Sequence, residues 1–185
     1  MSNLALACKN QGKYREAEAL FKPCLAKMKV AIGENDHNTL TTMNNLAATF
    51  VLQGKHRDAE VLFKQCLDKR KEVFGENHPS TLNTMNDLAL TYVNQENFRD
   101  AEVMCKQCLA KQKAFIGESH PNTLATMNNL AATYDDQGKY RDAEVLYKQC
   151  LDKMKTVIGK NHPDTIRTMN NLARVVSKIQ SQSEY

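Results

Sequence analysis

Apolar side chains recur along this chain at intervals of three and four residues. Between residues 40 and 50 they are Leu40, Met43, Leu46, Ala47 and Phe50, which share one face of a helix. A second stripe of this kind follows a short break: Ala59, Leu62, Phe63, Cys66 and Leu67, with Arg70 as a polar interruption before Val73. No segment shows the alternation of apolar and polar residues that is typical of strands. The pattern predicts an all-α protein of paired helices.

The helix pair recurs at a constant step of 42 residues, without insertions. The step relates four glycines and five Leu-Ala pairs: Gly33, Gly75, Gly117 and Gly159, with Leu4-Ala5, Leu46-Ala47, Leu88-Ala89, Leu130-Ala131 and Leu172-Ala173. A strict repeat of this length is typical of arrays in which each unit packs only on its neighbours. We therefore expect one array of tandem helical units.

Breaks in the pattern divide each unit into a shorter helix A and a longer helix B. Gly54 predicts a tight turn, Gly75 suits the residue after a helix, and Pro79 suits the first turn of the next. We place helix A at about 38–53 and helix B at about 56–73. The predicted organisation is a single array with units at about 1–37, 38–79, 80–121 and 122–163, a capping helix at about 164–179 and a short tail at 180–185. Because Met1 aligns with Met43, we expect the chain to begin inside its first helix A and to be a piece of a longer array.

The spacing Met43-x-x-Leu46-Ala47-x-x-Phe50, then Ala59-x-x-x-Phe63, resembles the tetratricopeptide pattern with Met in place of Trp. With Asn44-Asn45-Leu46-Ala47, Gln53-Gly54-Lys55 and Gly75-x-x-His78-Pro79, the 42-residue unit is similar to kinesin light chain and nephrocystin-3-like repeats. The resemblance implies a superhelical α-solenoid of four helix-turn-helix units plus a C-terminal helix, with helix A on a concave surface and helix B on a convex one. It also implies a groove for a partner peptide, and a kinesin heavy chain or a motor cargo as wider partners of the parent protein.

Two local departures from the repeat are visible. Asp36-His37-Asn38 stands where later units have His-Pro, and Glu96-Asn97 replaces the Gly-Lys of a turn. We expect neither to change the fold.

The charge balance excludes several classes of partner. Charged residues make up 25% of the chain and the net charge is +4, well short of the clustered basicity of a nucleic-acid binder. The sequence shows neither a signal peptide nor a run of about 18 apolar residues that would span a membrane. We therefore expect a cytoplasmic protein with reduced cysteines and with neither a nucleic-acid nor a membrane partner.

Two recurring residue types suggest chemistry, and a structural role is favoured for both. Cys105 and Cys108 have the spacing of a redox pair or half a zinc site, but Cys108 is the repeated small residue of helix B, which favours buried packing. Three histidines beside proline are expected to start helix A rather than to bind metal: His78, His120 and His162. Phosphate-binding loops, nucleophile elbows and HExxH motifs are missing. We expect no enzyme activity, no metal and no cofactor.

Helix A is nearly uncharged, since residues 38–53 contain no Asp, Glu, Lys or Arg. The face opposite its core stripe is therefore the predicted partner-binding groove, formed by Thr41, Asn44, Ala48, Val51, Leu52, Asn83, Asn86, Leu90, Asn94, Asn128, Ala132, Arg167, Asn170 and Arg174. The Asn44 row, with its sister residues Asn86, Asn128 and Asn170, can bond the backbone of an extended peptide, because an amide both donates and accepts. The alternative is that asparagines tie adjacent helices together. This alternative is favoured for the row of Asn45, Asp87, Asn129 and Asn171.

Two functions follow from these features. The leading one is an adaptor that binds a peptide or helix of a protein partner in the groove, with an extended, weakly charged peptide as the expected ligand. The other is a structural array that self-associates weakly through its end repeats and has no dedicated ligand. Size measurements across a concentration range distinguish them.

Overall fold

A computed structural model describes residues 1–183, and within them the chain forms nine α-helices and no strand. In chain order they are α1 (Ser2–Asn10), α2 (Tyr14–Ala31), α3 (His37–Leu52), α4 (His56–Phe74), α5 (Pro79–Asn94), α6 (Phe98–Phe115), α7 (Pro121–Asp136), α8 (Tyr140–Val157) and α9 (Pro163–Ser183). We call the odd-numbered helices the A helices and the even-numbered ones the B helices. The predicted all-α class is confirmed.

Most helix ends lie close to the breaks in the sequence pattern. Helices α3 and α4 each begin and end within one residue of the predicted limits. Helix α9 is longer than predicted and continues through Ser183, because neither Gly nor Pro interrupts it after residue 179. Residues 180–183, predicted as tail, are therefore helical, and residues 184–185 lie outside the described residues.

The chain divides into two compact units, Met1–Gln95 and Glu96–Tyr185. In unit 1, α2 packs between α1 and α3, and α4 packs between α3 and α5. In unit 2, α6 packs against α7, and α8 lies between α7 and α9. The B helices α2, α4 and α8 are thus each covered by an A helix on two sides.

The apolar stripes form the core of each unit. In unit 1, Leu40 of α3 is fully buried, Phe63 of α4 is 1% exposed, and the Cys66 Sγ donates to the Leu40 carbonyl oxygen at 3.3 Å. In unit 2, Tyr147 of α8 packs with Ala131 of α7 and with α9. Burying one large apolar side chain contributes about 1.5–3 kcal/mol. The three-and-four spacing therefore explains why the helices pair as they do.

A side chain just before each A helix after α1 caps its first turn. The Asp36 Oδ1 accepts from the Asn38 backbone N–H at 2.8 Å, so this unit replaces the His-Pro start with an aspartate cap. In α5, α7 and α9 the Nδ1 of His78, His120 and His162 accepts a backbone N–H at 3.1–3.2 Å. The predicted role of these histidines in starting helix A is confirmed.

Candidate functional site

The A helices of unit 1 lie side by side in register. Helix α1 contacts α3, and α3 contacts α5. The Ser2 and Thr42 hydroxyls are 3.3 Å apart, and the Thr84 hydroxyl donates to the Asn44 Oδ1 at 2.9 Å. Both pairs are 40 residues apart, close to the repeat step. Sister positions of α1, α3 and α5 therefore lie beside each other.

The predicted groove residues of unit 1 differ in exposure. Leu52 is 49% exposed and Leu90 is 40% exposed, and Asn83 and Asn94 are exposed as well. The other predicted residues are partly buried: Thr41, Asn44, Ala48, Val51 and Asn86. A ligand on this surface would contact the exposed side chains, Leu52, Leu90, Asn83 and Asn94, before the partly buried ones.

Asn44 is hydrogen-bonded to the neighbouring A helix. Its Nδ2 donates to the Asp87 Oδ2 at 3.0 Å, while its Oδ1 accepts from Thr84. The Thr84 hydroxyl also accepts from the Arg70 Nη1 at 2.7 Å, and Arg70 is 4% exposed. A chain of hydrogen bonds thus links a buried guanidinium on α4 to a carboxylate on α5. These bonds agree with the alternative in which the Asn44 side chain ties adjacent helices together.

The sequence offered one signal of this polar chain, Arg70 in an otherwise apolar stripe, but the bonds themselves join residues of three different helices. Burial raises the pKa of Asp87 above its usual range, opposed by the Asn44 hydrogen bond and by the charges of Arg70 and Lys9. Burial also lowers the pKa of Lys9, opposed by the charge of Asp87. The charges near the A helices of unit 1 are therefore poorly hydrated groups that compensate one another.

Six sister positions form two parallel rows across the A helices of unit 1. One row is Leu6, Ala48 and Leu90, and the row one turn further along the helices is Asn10, Leu52 and Asn94. Leu6 is 36% exposed. We call these six residues the unit 1 face, and none of them is ionisable. Leu6 and Asn10 were absent from the predicted set, although the 42-residue step from Ala48 and Leu52 identifies them.

The predicted residues of unit 2 have different surroundings. Asn128 is 6% exposed, and its Oδ1 accepts from the Thr168 hydroxyl at 2.9 Å, which ties α7 to α9. Ala132 is partly buried, and Arg167, Asn170 and Arg174 are exposed. The Asn128 side chain thus makes the same kind of helix-to-helix bond as Asn44.

The positive charge of α9 is compensated by acidic side chains. The Asp135 carboxylate, 1% exposed, accepts from the Arg174 Nη2 at 2.7 Å and from the Lys178 Nζ at 2.6 Å. Arg167 pairs with Asp164 at 2.8 Å. Arg167, Arg174 and Lys178 on α9 therefore already have acidic partners within the chain.

A cleft of about 380 Å³ lies in unit 2 where α7 and α9 begin and α8 ends. Its lining is Pro121, Leu124, Ala125, Asn128, Met154, Ile158, His162, Asp164 and Arg167. The cleft brings together two predicted residues, Asn128 and Arg167. The others were not predicted because the cleft forms only where the starts of α7 and α9 meet the end of α8.

The cysteine pair on α6 is part of the core. Cys105 and Cys108 are fully buried and unbridged, and burial raises the pKa of Cys105 to about 12. The predicted packing role of these thiols is confirmed. Within residues 1–183 no cluster of three or more His, Cys, Asp or Glu side chains could hold a metal ion. No helix in this part of the chain has both the length and the apolarity needed to cross a membrane.

Family models place this architecture among known proteins. Models of the tetratricopeptide repeat match residues 1–72, 81–122 and 123–164, which is most of the chain. The chain belongs to the tetratricopeptide repeat family. The predicted fold, an α-solenoid of helix-turn-helix units, is confirmed, and it is a fold of protein-interaction scaffolds. No curated protein matches the chain in sequence.

Solved structures share this tetratricopeptide fold. Repeats of a Podosopora anserina protein assigned as a kinesin light chain are 23% identical, with a TM-score of 0.81 over 99% of this chain and 87% of that one. BtubC (BKLC) from P. vanneervenii is 22% identical, with a TM-score of 0.80 over 94% of this chain and 69% of that one. Rap protein, complexed with Competence and Sporulation Factor, is 12% identical, with a TM-score of 0.80 over 97% and 48%. The resemblance to kinesin light chain-like repeats is confirmed at the level of the fold.

Proposed function

We propose that the chain is a cytoplasmic adaptor whose unit 1 face binds an extended, weakly charged segment of a partner protein. One observation carries the proposal: Leu6, Leu52 and Leu90 stand exposed on three neighbouring A helices, in a face without ionisable side chains. Membership of a family of interaction scaffolds supports it. Each leucine that a ligand removes from water contributes favourable free energy in proportion to its buried apolar area.

The chemistry of the face suggests how the segment is held. The amides of Asn10 and Asn94 offer donors and acceptors to the main chain of the ligand, and Ala48 leaves space between the larger side chains. The leucines contact apolar side chains of the ligand. The six residues of this face carry no charge, and the neighbouring Lys9 is partly buried and donates to the Asn45 Oδ1. We therefore expect binding to depend only weakly on salt concentration.

In finer detail, we propose that the partner is a motor cargo or another component of a kinesin-type assembly. The structural likeness to the P. anserina repeats supports this choice. Rap protein supports the general role, because that structure shows the same fold in complex with a factor. Binding of the parent protein to a kinesin heavy chain is the direct test of this finer proposal.

Selection of peptides from a random phage-displayed library tests the binding proposal. Enriched peptides should bind the wild-type chain and lose binding to the Leu52→Glu/Leu90→Glu variant, which places charges on the unit 1 face. Val61→Glu is the matched control, because Val61 is 57% exposed on α4, a B helix. Peptides that bind all three proteins equally, or no enrichment, would contradict the proposal.

A further inference from the structure

The cleft where α7 and α9 begin and α8 ends has an apolar floor and a polar mouth. Its floor contains Leu124 and Met154, which are 1% and 4% exposed. At its mouth lie the exposed residues Ala125, His162 and Arg167. We call this space of about 380 Å³ the unit 2 cleft. All of its lining residues belong to α7, α8, the start of α9 or the loop that joins α8 to α9.

In unit 1, the side chain of Arg70 occupies the corresponding place. Two repeat steps separate Arg70 from Met154, and the same two steps separate Thr41 from Ala125. The Arg70 Nη1 donates to the Ser80 carbonyl oxygen at 2.7 Å, and its Nη2 donates to the Thr41 Oγ1 at 3.5 Å. The sister residues of both acceptors line the unit 2 cleft. Unit 1 therefore fills this place with its own guanidinium, which unit 2 lacks.

The rings at the end of the B helix also differ between the units. In unit 1, the Phe74 ring lies 5.6 Å from the His37 ring and 5.0 Å from the His78 ring, measured between centroids. The sisters of Phe74 and His37 are Ile158 and Pro121, which line the unit 2 cleft. Two rings are thus replaced by aliphatic side chains. The open space in unit 2 therefore arises from the identity of its lining residues.

The charges around the unit 2 cleft favour an uncharged occupant. In unit 1, hydrogen bonds link the buried guanidinium to the Asp87 carboxylate. The sister residues in unit 2 are Met154 and Asn171, which are both neutral. At the mouth, the Asp164 carboxylate is already paired with Arg167 at 2.8 Å. A charged group that entered the cleft would lose its hydration without an available counter-charge, whereas an apolar group gains from leaving water.

We propose that the unit 2 cleft binds one uncharged apolar side chain, of leucine to phenylalanine size, carried by a segment of a partner protein. The volume is sufficient, since a cavity of about 150 Å³ already accepts a benzene ring. Membership of a family of protein-interaction scaffolds favours a side chain of a protein over a free small molecule. None of the lining residues belongs to the unit 1 face, so binding here can be tested independently of binding there.

Blocked amino acids are the probes, because each combines one side chain with two amide groups. N-acetyl-phenylalanine methylamide and its leucine, alanine and arginine counterparts are titrated into the full chain, with NMR detection of the Met154 and Ile158 methyl groups. We expect saturable shift changes with the phenylalanine and leucine probes, at dissociation constants on the order of 1–10 mM. The alanine probe lacks the apolar group and the arginine probe adds a charge, so both should bind about tenfold or more weakly.

Two variants test the place of binding. Met154→Arg/Asn171→Asp gives unit 2 the residues with which unit 1 fills the corresponding place, and Ala125→Phe adds a ring at the mouth. Both should weaken binding of the phenylalanine probe about tenfold or more, recorded at Ile158. Because Ala125 is exposed, its replacement leaves the core unchanged. Val145→Arg is the control and should bind as the wild type does, since Val145 is 55% exposed on α8 and lies outside the cleft.

Three results would overturn the proposal. Unchanged binding of the phenylalanine probe in the folded variants, as judged by circular dichroism, would show that the probe binds elsewhere. Tighter binding of the arginine probe would show that the cleft selects a cation. Shifts of Met154 and Ile158 that do not saturate with any probe would show that the cleft is not a binding site.

Discussion

At residue scale, the turn before α6 contains a conformation that its sister turns assign to glycine. Glu96 has φ of 60°, where Gly54 and Gly138 have φ of 75° and 74°. A residue with a side chain costs about 1–2 kcal/mol in this left-handed region, and glycine removes that cost. Part of the resulting stabilisation is lost because glycine also increases the conformational entropy of the unfolded chain. Glu96→Gly should therefore raise the free energy of unfolding by about 0.5–1 kcal/mol in urea titrations. Gly138→Glu, the reverse control, should lower it, and an unchanged Glu96→Gly would contradict this account.

Arg70 and Asp87, which are linked through the Thr84 and Asn44 side chains, give a second prediction at this scale. The sisters of Arg70 include Met28 and Met154, whose sulfur atoms lie 3.4 Å from the Thr42 and Thr168 hydroxyls. A methionine therefore fits the site. Arg70→Met should lower the free energy of unfolding by about 1–3 kcal/mol, because Asp87 loses a compensating cation. Adding Asp87→Asn, the residue of the other units, should restore most of this loss in chemical denaturation.

The pH dependence of Arg70→Met follows from the raised pKa of Asp87. A carboxyl group whose pKa is raised by folding favours the folded state below its unfolded pKa of about 4. This contribution disappears as the pH rises through the folded pKa. The destabilisation by Arg70→Met should thus be larger at neutral than at acidic pH. A loss that is independent of pH, or no recovery in the double variant, would show that Arg70 acts only through its packing.

At the scale of elements, α2 differs from the other B helices by a proline within the helix. Pro23 stands where its sisters are Gln65, Gln107 and Gln149. A proline in a helix interior removes a hydrogen bond and costs about 3 kcal/mol. Pro23→Gln should raise the free energy of unfolding by about 2–3 kcal/mol, and Gln65→Pro in α4 should lower it comparably. Equal melting temperatures for wild type and Pro23→Gln would mean that α2 accommodates the proline without strain.

The elements could be predicted from sequence because their signals are local. Helix spacing, the glycine breaks and the histidine caps all lie within a few residues of the feature that they determine. The environments of Asn44 and Asn128 depend instead on Thr84 and Thr168, each 40 residues away along the chain. A repeat pattern shows that these asparagines share a face, but only the packing of helices shows what they bond. For the same reason the cleft in unit 2 was missed.

At the scale of the whole molecule, two glutamates form ion pairs that link consecutive repeats. Hydrogen bonds from Lys22 and Lys55 lower the pKa of Glu18 to about 2. Bonds from Lys106 and Lys139 lower the pKa of Glu102 to about 2 as well. A depressed pKa stabilises the folded state above the ordinary value of 4.5, and this contribution is lost as the pH falls toward the folded pKa.

The free energy of unfolding should therefore decrease as the pH falls from about 4.5 to about 2. Glu18→Gln/Glu102→Gln should flatten this decrease, measured by denaturation at a series of pH values. Glu72→Gln, at an exposed position of α4, is the control and should follow the wild type. An unchanged acid profile in the double variant would exclude these ion pairs as its cause.

The central claim is that the unit 1 face binds a segment of a partner protein. The most direct measurement is an NMR titration of isotope-labelled chain with a peptide enriched by the library selection. Saturable shift changes should centre on Leu6, Leu52, Leu90 and Asn94 and leave the exposed valines of the B helices, Val61 and Val145, unchanged. Shift changes confined to the B helices, or changes that do not saturate, would contradict the account.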